Sequence, residues 1–162
     1  MHIILDSCIV EYYLHKELSF QIKDIFDNWG VGFDFAVSQI VYSELVDGAY
    51  PKKERIIIKT LKSFYNLPVT ERNIIGSGKL GSVYREFNIT QGISITDKII
   101  AATSIITNSL IVTANINDYP QPFFEPLKSS YIKKSKQTIK ICLLKPDYLS
   151  LRDAFNYREL PQ

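Results

Sequence analysis

The chain has 162 residues, of which 46% are hydrophobic and 22% charged, a composition that excludes disordered, fibrous and membrane-embedded classes and suits one domain with a sizeable core. A formal net charge of +2 excludes nucleic-acid attraction through the whole-molecule field, so any such affinity must come from a local patch. The two cysteines, Cys8 and Cys142, sit in no zinc or disulfide spacing, which predicts a reducing compartment and two small core hydrophobes; no apolar run reaches spanning length and the N-terminus lacks a signal-peptide layout, which predicts a cytoplasmic protein with no membrane contact.

In chain order, His2 to Leu5 is a β-branched run that reads as a strand, and after Asp6 and Ser7 the apolar residues Cys8, Ile9, Tyr12, Tyr13 and Leu14 fall at helical intervals. Phe20 to Trp29 continues the helical period through Ile22, Ile25 and Phe26 and stops at Gly30. Phe33 to Val37 predicts a second strand, Ser38 a helix cap, and Ile40, Val41, Leu45 and Val46 a helix with Glu44 on the boundary of its apolar face. Pro51 is expected to open a further amphipathic helix that ends near Asn66, and Leu67 to Thr70 to form a brief strand or turn. Glu71 to Phe87 predicts a helix weakened by Gly76, Gly78 and Gly81. Asp97 begins a strongly apolar helix capped by Ser94 or Thr96, and Leu110 to Thr113 predicts a buried strand. Beyond Asp118 an extended loop is expected over about 120–136, then a final strand and C-terminal tail over 137–162, with the strand at Thr138 to Leu144 and a helix at Leu149 to Leu160. Strands alternating with helices imply a mostly parallel sheet flanked by helices on both faces.

In such sheets ligands bind beyond the carboxyl ends of the strands. Asp6 and Asp118 follow strands directly, Glu44 lies about two turns into its helix and Asp97 in the first turn of its own, so four carboxylates from distant points of sequence are placed to converge. Gathered carboxylates repel one another and raise one another's pKa unless protons or cations neutralise them, so the arrangement predicts a divalent-metal site. Oxygen-only ligation, with no His or Cys partner, points to Mg²⁺ or Mn²⁺ without choosing between them. Such an ion activates water for attack on a phosphodiester and stabilises the leaving oxygen.

The phrases ILDSCIVEYYL, SQIVYSELVDG, TDKIIAATSI and LIVTANINDY, in this order, resemble the PIN domain, and within it the VapC-like toxin ribonucleases. The resemblance runs from the start of the chain to Asp118 and implies a PIN-like three-layer α/β sandwich over 1–162. It assigns Asp6, Glu44, Asp97 and Asp118 as catalytic metal ligands, with Ser7, Thr113 and Asn115 orienting carboxylates and metal-bound water. It further implies a metal-dependent endoribonuclease that leaves 5′-phosphate and 3′-hydroxyl ends, often a homodimer, and in the toxin branch an antitoxin partner. Tyr119 in place of the usual Phe, Cys8 in place of a small polar residue and the long segment after Pro120 depart from the pattern and bear on substrate class.

Taken singly, each acid also has a structural use: Asp6 as a cap, Asp97 against a helix dipole, Glu44 as a solvated side chain and Asp118 in a turn. Only the ordered set argues for a metal. Gly76 to Gly81 spells GxGxxG, but it follows no first strand and its Lys79 is not followed by Ser or Thr, so helix packing or a flexible helix start is the expected meaning. Lys128, Lys133, Lys134 and Lys136, continued by Lys140 and Lys145, form a candidate RNA-binding stretch in which Tyr131 is placed to stack on an unpaired base; the competing expectation is a solvated loop whose lysines guard a strand edge. Two rivals to the ribonuclease remain at this level, an inactive RNA-binding or regulatory module of the same fold and a DNA-acting nuclease.

Overall fold

The computed structural model describes residues 1–49, 51, 53–89 and 92–156. Six strands form one sheet: β1 (His2–Leu5), β2 (Asp34–Ser38), β3 (Tyr65–Leu67), β4 (Leu110–Thr113), β5 (Phe124–Lys134) and β6 (Gln137–Pro146), in the order β3-β2-β1-β4-β6-β5. The first four are parallel, while β6 runs antiparallel to β4 and β5 antiparallel to β6. Seven helices among the described residues flank the sheet: α1 (Ser7–Leu14), α2 (Ser19–Trp29), α3 (Ile40–Asp47), α4 (Glu54–Leu61), α5 (Glu71–Glu86), α6 (Ile95–Thr107) and α7 (Tyr148–Asn156). None is long and apolar enough to cross a membrane.

The central strands are β-branched because both their faces are covered. Ile3, Ile4 and Leu5 of β1 and Ile111 and Val112 of β4 are fully buried, each contributing about 1.5–3 kcal/mol through removal from water. Since β2 and β3 extend the sheet on one side of β1 and β4 joins on the other, the strand order reverses between β1 and β4, and a crevice opens at their carboxyl ends.

Helix α6 starts there because Ser94 caps it, its side chain accepting from the Asp97 backbone while the Asp97 side chain accepts from the Ser94 backbone. It ends at Asn108 in the left-handed conformation, φ 50°, a turn that Asn tolerates and that leads directly into β4. Two of the three glycines of α5 serve its packing on α6, as expected: a Cβ on Gly76 would stand 3.3 Å from the Ala102 methyl, and the stem of Lys98 lies 3.4 Å from the same point on Gly81, whereas Gly78 faces open space. The helix runs unbroken through all three glycines.

Several expectations are corrected. The segment over 120–136 is not an extended loop: β5 spans Phe124–Lys134 and pairs with β6 through a two-residue turn whose first residue, Ser135, has φ 52°. Its alternation is hidden because it is an edge strand with only Phe124 and Ile132 buried, and because a register shift between Pro126 and Lys128 breaks the period. Ser38 caps nothing; it ends β2 with a buried side chain, and α3 begins after Gln39 without a side-chain cap. Helix α4 begins at Glu54 rather than Pro51 and ends at Leu61, which leaves Tyr65–Leu67 free to pair with β2, while Thr70 caps α5. The final helix spans Tyr148–Asn156, and residues 157–160 of the expected tail lie outside the described residues.

Gly30 closes α2 and touches the aromatic layer beneath it. A Cβ there would sit 2.5 Å from the Phe35 ring and 2.6 Å from the Phe26 carbonyl oxygen, and those two rings already stack at 4.2 Å. Gly30→Ala is therefore expected to destabilise the fold by about 1–3 kcal/mol, read as a lower urea midpoint at unchanged slope.

Candidate metal centre

Asp6 follows β1 immediately, and its backbone N–H donates to Val112 of β4, the last rung before the crevice. Its side chain is 3% exposed. One carboxylate oxygen accepts from the Ser7 backbone at 2.7 Å and faces the Ser7 hydroxyl at 3.4 Å; the other accepts from the Thr113 hydroxyl at 2.6 Å and from the Cys8 thiol at 3.5 Å. Thr113 in turn accepts from the Asn115 backbone at 2.9 Å, and the Asn115 amide donates to Asp118. Ser7, Thr113 and Asn115 thus form one chain of hydrogen bonds that fixes two of the four acids.

Asp97 keeps one oxygen in its capping box, accepting the Ser94 hydroxyl at 2.6 Å. Glu44 lies exposed in the second turn of α3. Burial pushes the Asp6 carboxyl up to about 6, opposed by the Thr113 hydrogen bond and reinforced by the charge of Asp97. Asp118 is also pushed to about 6, by burial and then by the charges of Asp97, Asp6 and Glu44. The four carboxylates therefore share one electrostatic neighbourhood, although among the described residues no group of three or more His, Cys, Asp or Glu side chains stands in position to hold a metal ion as a ready-made cage.

Two hydroxyls that sequence reasoning missed border this neighbourhood. Tyr119 is 1% exposed, its hydroxyl has no hydrogen-bond partner among the described residues, and the charges of Asp6, Asp97 and Asp118 help hold its pKa well above the usual value after burial itself. Ser38 ends β2 two residues beyond Ala36, the partner of Ile4, and so stands level with Asp6 on the same face of the sheet, its buried hydroxyl equally unpartnered. The available signal was weak: a polar residue closing an apolar run in the same way as Asp6. Cys8 is a third correction, since it is not a core hydrophobe but half-buried against Asp6, where burial and the adjacent carboxylate push its thiol up. Cys142 is buried as expected.

This donor set fits a hard cation. Raised carboxyl pKa values mark uncompensated negative charge, and orphaned buried hydroxyls mark hydrogen-bonding capacity that the protein itself leaves unused. Mg²⁺ is commonly held by only one or two carboxylates together with water and substrate phosphate, a requirement that needs no preformed cage. A cavity of about 720 Å³ lies elsewhere, between α5, α6 and α7, with walls that include Ile75, Leu80, Ala102 and Phe155; none of the four acids lines it. The expected RNA-binding lysines lie on the β5–β6 hairpin: Lys128, Lys133 and Lys134 on β5 and Lys136 in its turn.

No family model matches the sequence, and no curated protein does. Solved structures do. A chain of VapBC2 from Rickettsia felis, bound to a DNA fragment from its promoter, superposes with a TM-score of 0.62 at 22% identity, over 75% of this chain and 94% of that one. A toxin–antitoxin complex from Klebsiella pneumoniae gives 0.56 at 20% identity, over 74% and 91%, and VapBC-1 from nontypeable Haemophilus influenzae gives 0.54 at 20%, over 74% and 90%. The chain has the PIN-like fold of VapC, with a mostly parallel central sheet.

The raised carboxyl groups set a direction for stability. Native Asp6 holds its proton up to about pH 6, whereas the unfolded group releases it near 3.8, so its contribution is full below that lower value and is lost as pH rises through 6. In chelator, Asp6→Asn is expected to gain stability over the parent as pH rises from 4 to 7.5, by roughly 1–3 kcal/mol at the upper end, measured by denaturant titration at each pH.

Proposed function

We propose that the chain is a Mg²⁺- or Mn²⁺-dependent endoribonuclease, the toxin of a toxin–antitoxin pair, acting in the cytoplasm as one PIN-like domain. The observation that carries this reading is the buried Asp6 carboxylate, pinned by Thr113 across the β1–β4 crevice and coupled by charge to Asp97 and Asp118. An antitoxin partner and a homodimer are part of the reading, in keeping with the toxin–antitoxin complexes whose fold the chain shares.

Asp6, Glu44, Asp97 and Asp118 would hold the ion, together with water and the substrate phosphate. A bound divalent cation supplies Lewis acidity, lowering the pKa of water and offsetting charge on the phosphate. Thr113 and Ser7 keep the Asp6 oxygens in fixed directions, so no reorganisation is needed when charge develops in the crevice. Asn115 does the same for Asp118. Water attacks the scissile phosphorus in line and the 3′-oxygen departs, leaving 5′-phosphate and 3′-hydroxyl ends.

A labelled RNA incubated with Mn²⁺, beside the matching DNA strand, tests this. Asp6→Asn and Asp97→Asn are each expected to lower cleavage by more than about 100-fold and Thr113→Val by about 10–100-fold, the range for losing a group that orients a metal ligand. All three should retain the parent circular dichroism, and chelator should abolish the parent activity until Mn²⁺ is restored. Cleavage by well-folded Asp6→Asn at the parent rate, or cleavage of DNA alone, would end the ribonuclease reading.

A further inference from the structure

The β5–β6 hairpin projects past the acids. Thr113, the last residue of β4, pairs with Cys142, and β6 begins five residues earlier at Gln137, so about 17 Å of two-stranded ribbon stands beyond the carboxyl end of β4. Directly opposed residues share a face, and the register runs Thr113–Cys142–Ser129 across three strands. Two residues further out lies the pair Tyr131–Lys140, and two beyond that Lys133–Thr138, all on the face that bears Thr113. Thr113 touches Asp6, so this face looks onto the acids. From the pairing geometry the Tyr131 backbone stands about 12 Å from that of Thr113.

The two faces of the ribbon are differently used. Ile132 and its partner Ile139 share the parity of Phe35, on which Phe26 of α2 stacks. Gln21 of α2 both donates to the Lys133 carbonyl at 2.9 Å and accepts its N–H at 2.8 Å, and Glu17, just before α2, accepts the Ser135 N–H at 2.6 Å, so the start of α2 and the turn before it clamp the tip by its backbone. The other face is open: Lys133, Thr138 and Lys140 are exposed and Tyr131 is 64% exposed. Lysines alone suffice to guard a strand edge; an aromatic ring left in water between two of them does not serve that purpose. Lys128 and Lys134 lie on the opposite parity, which divides the basic stretch that looks continuous in sequence.

The geometry points to this face as a platform for a single, unpaired RNA strand: Tyr131 stacks on a base while Lys133 and Lys140 hold the phosphates beside it, a short distance from the scissile bond. The inference rests on the ribonuclease reading above and deepens it, since stacking on an exposed ring requires an unpaired base and selects single-stranded over duplex substrate.

Binding of a fluorescent single-stranded RNA 12-mer and of its duplex, followed by anisotropy in chelator across a salt series, tests the platform on the full chain. Tyr131→Ala is expected to weaken single-strand binding about ten-fold, Tyr131→Phe to retain it, and duplex affinity to move little. Lys133→Gln with Lys140→Gln is expected to flatten the slope of log affinity against log salt by about 1.4, the loss of two phosphate contacts on a single strand. Unchanged affinity and slope in these variants, with Mn²⁺-dependent cleavage intact in the parent, would overturn the platform and leave the nuclease reading standing. The predicted losses without any cleavage by the parent would support the platform and end the nuclease reading. Weakened binding of a protein partner at unchanged RNA affinity would also overturn it.

Discussion

The hydrogen bond from Thr113 to Asp6 is the constraint around which the site is organised. It joins the carboxyl ends of two neighbouring parallel strands at the point where strand order reverses, and it holds a carboxylate in a place that water scarcely reaches. Burying that group is unfavourable, and the Ser7 and Thr113 donors offset only part of the cost, since the pKa still rises to about 6. A carboxylate kept at such expense, with Asp97 and Asp118 close enough to worsen it, is a charge in want of a counter-charge.

How far this was legible depended on whether a residue's signal is local. Asp6, Thr113 and Asp118 were readable because each closes or follows a short apolar run whose direction the βα alternation dictates, and Asp97 because a cap and an apolar helix surround it. Ser38 and Tyr119 were not. Ser38 resembles an ordinary helix cap, and only the pairing of Ala36 with Ile4 brings it level with Asp6. Tyr119 looks like a core aromatic, and its unpartnered hydroxyl is a property of the packed interior.

The β5 strand was hidden for a different reason. Sequence periodicity reports contrast between a buried and a wet face, and an edge strand that is mostly wet has little contrast to report. The bulge near Leu127 removes the rest. Its partner β6 was visible because Ile141, Cys142, Leu143 and Leu144 are all buried in the sheet. Once the strand is recognised, parity sorts the lysines into two groups, a division that no reading of composition supplies.

Among the described residues the hairpin is held at its roots in the sheet, by Ile132 and Ile141 in the core, and by the grip of Glu17 and Gln21 on its tip. The acids share the root, where Cys142 pairs with Thr113 and Thr113 donates to Asp6, but not the tip. Lengthening or shortening the ribbon beyond that root by a pair of residues would therefore shift the exposed Tyr131 face while leaving the Asp6–Thr113 contact in place, so the two can change independently within one fold.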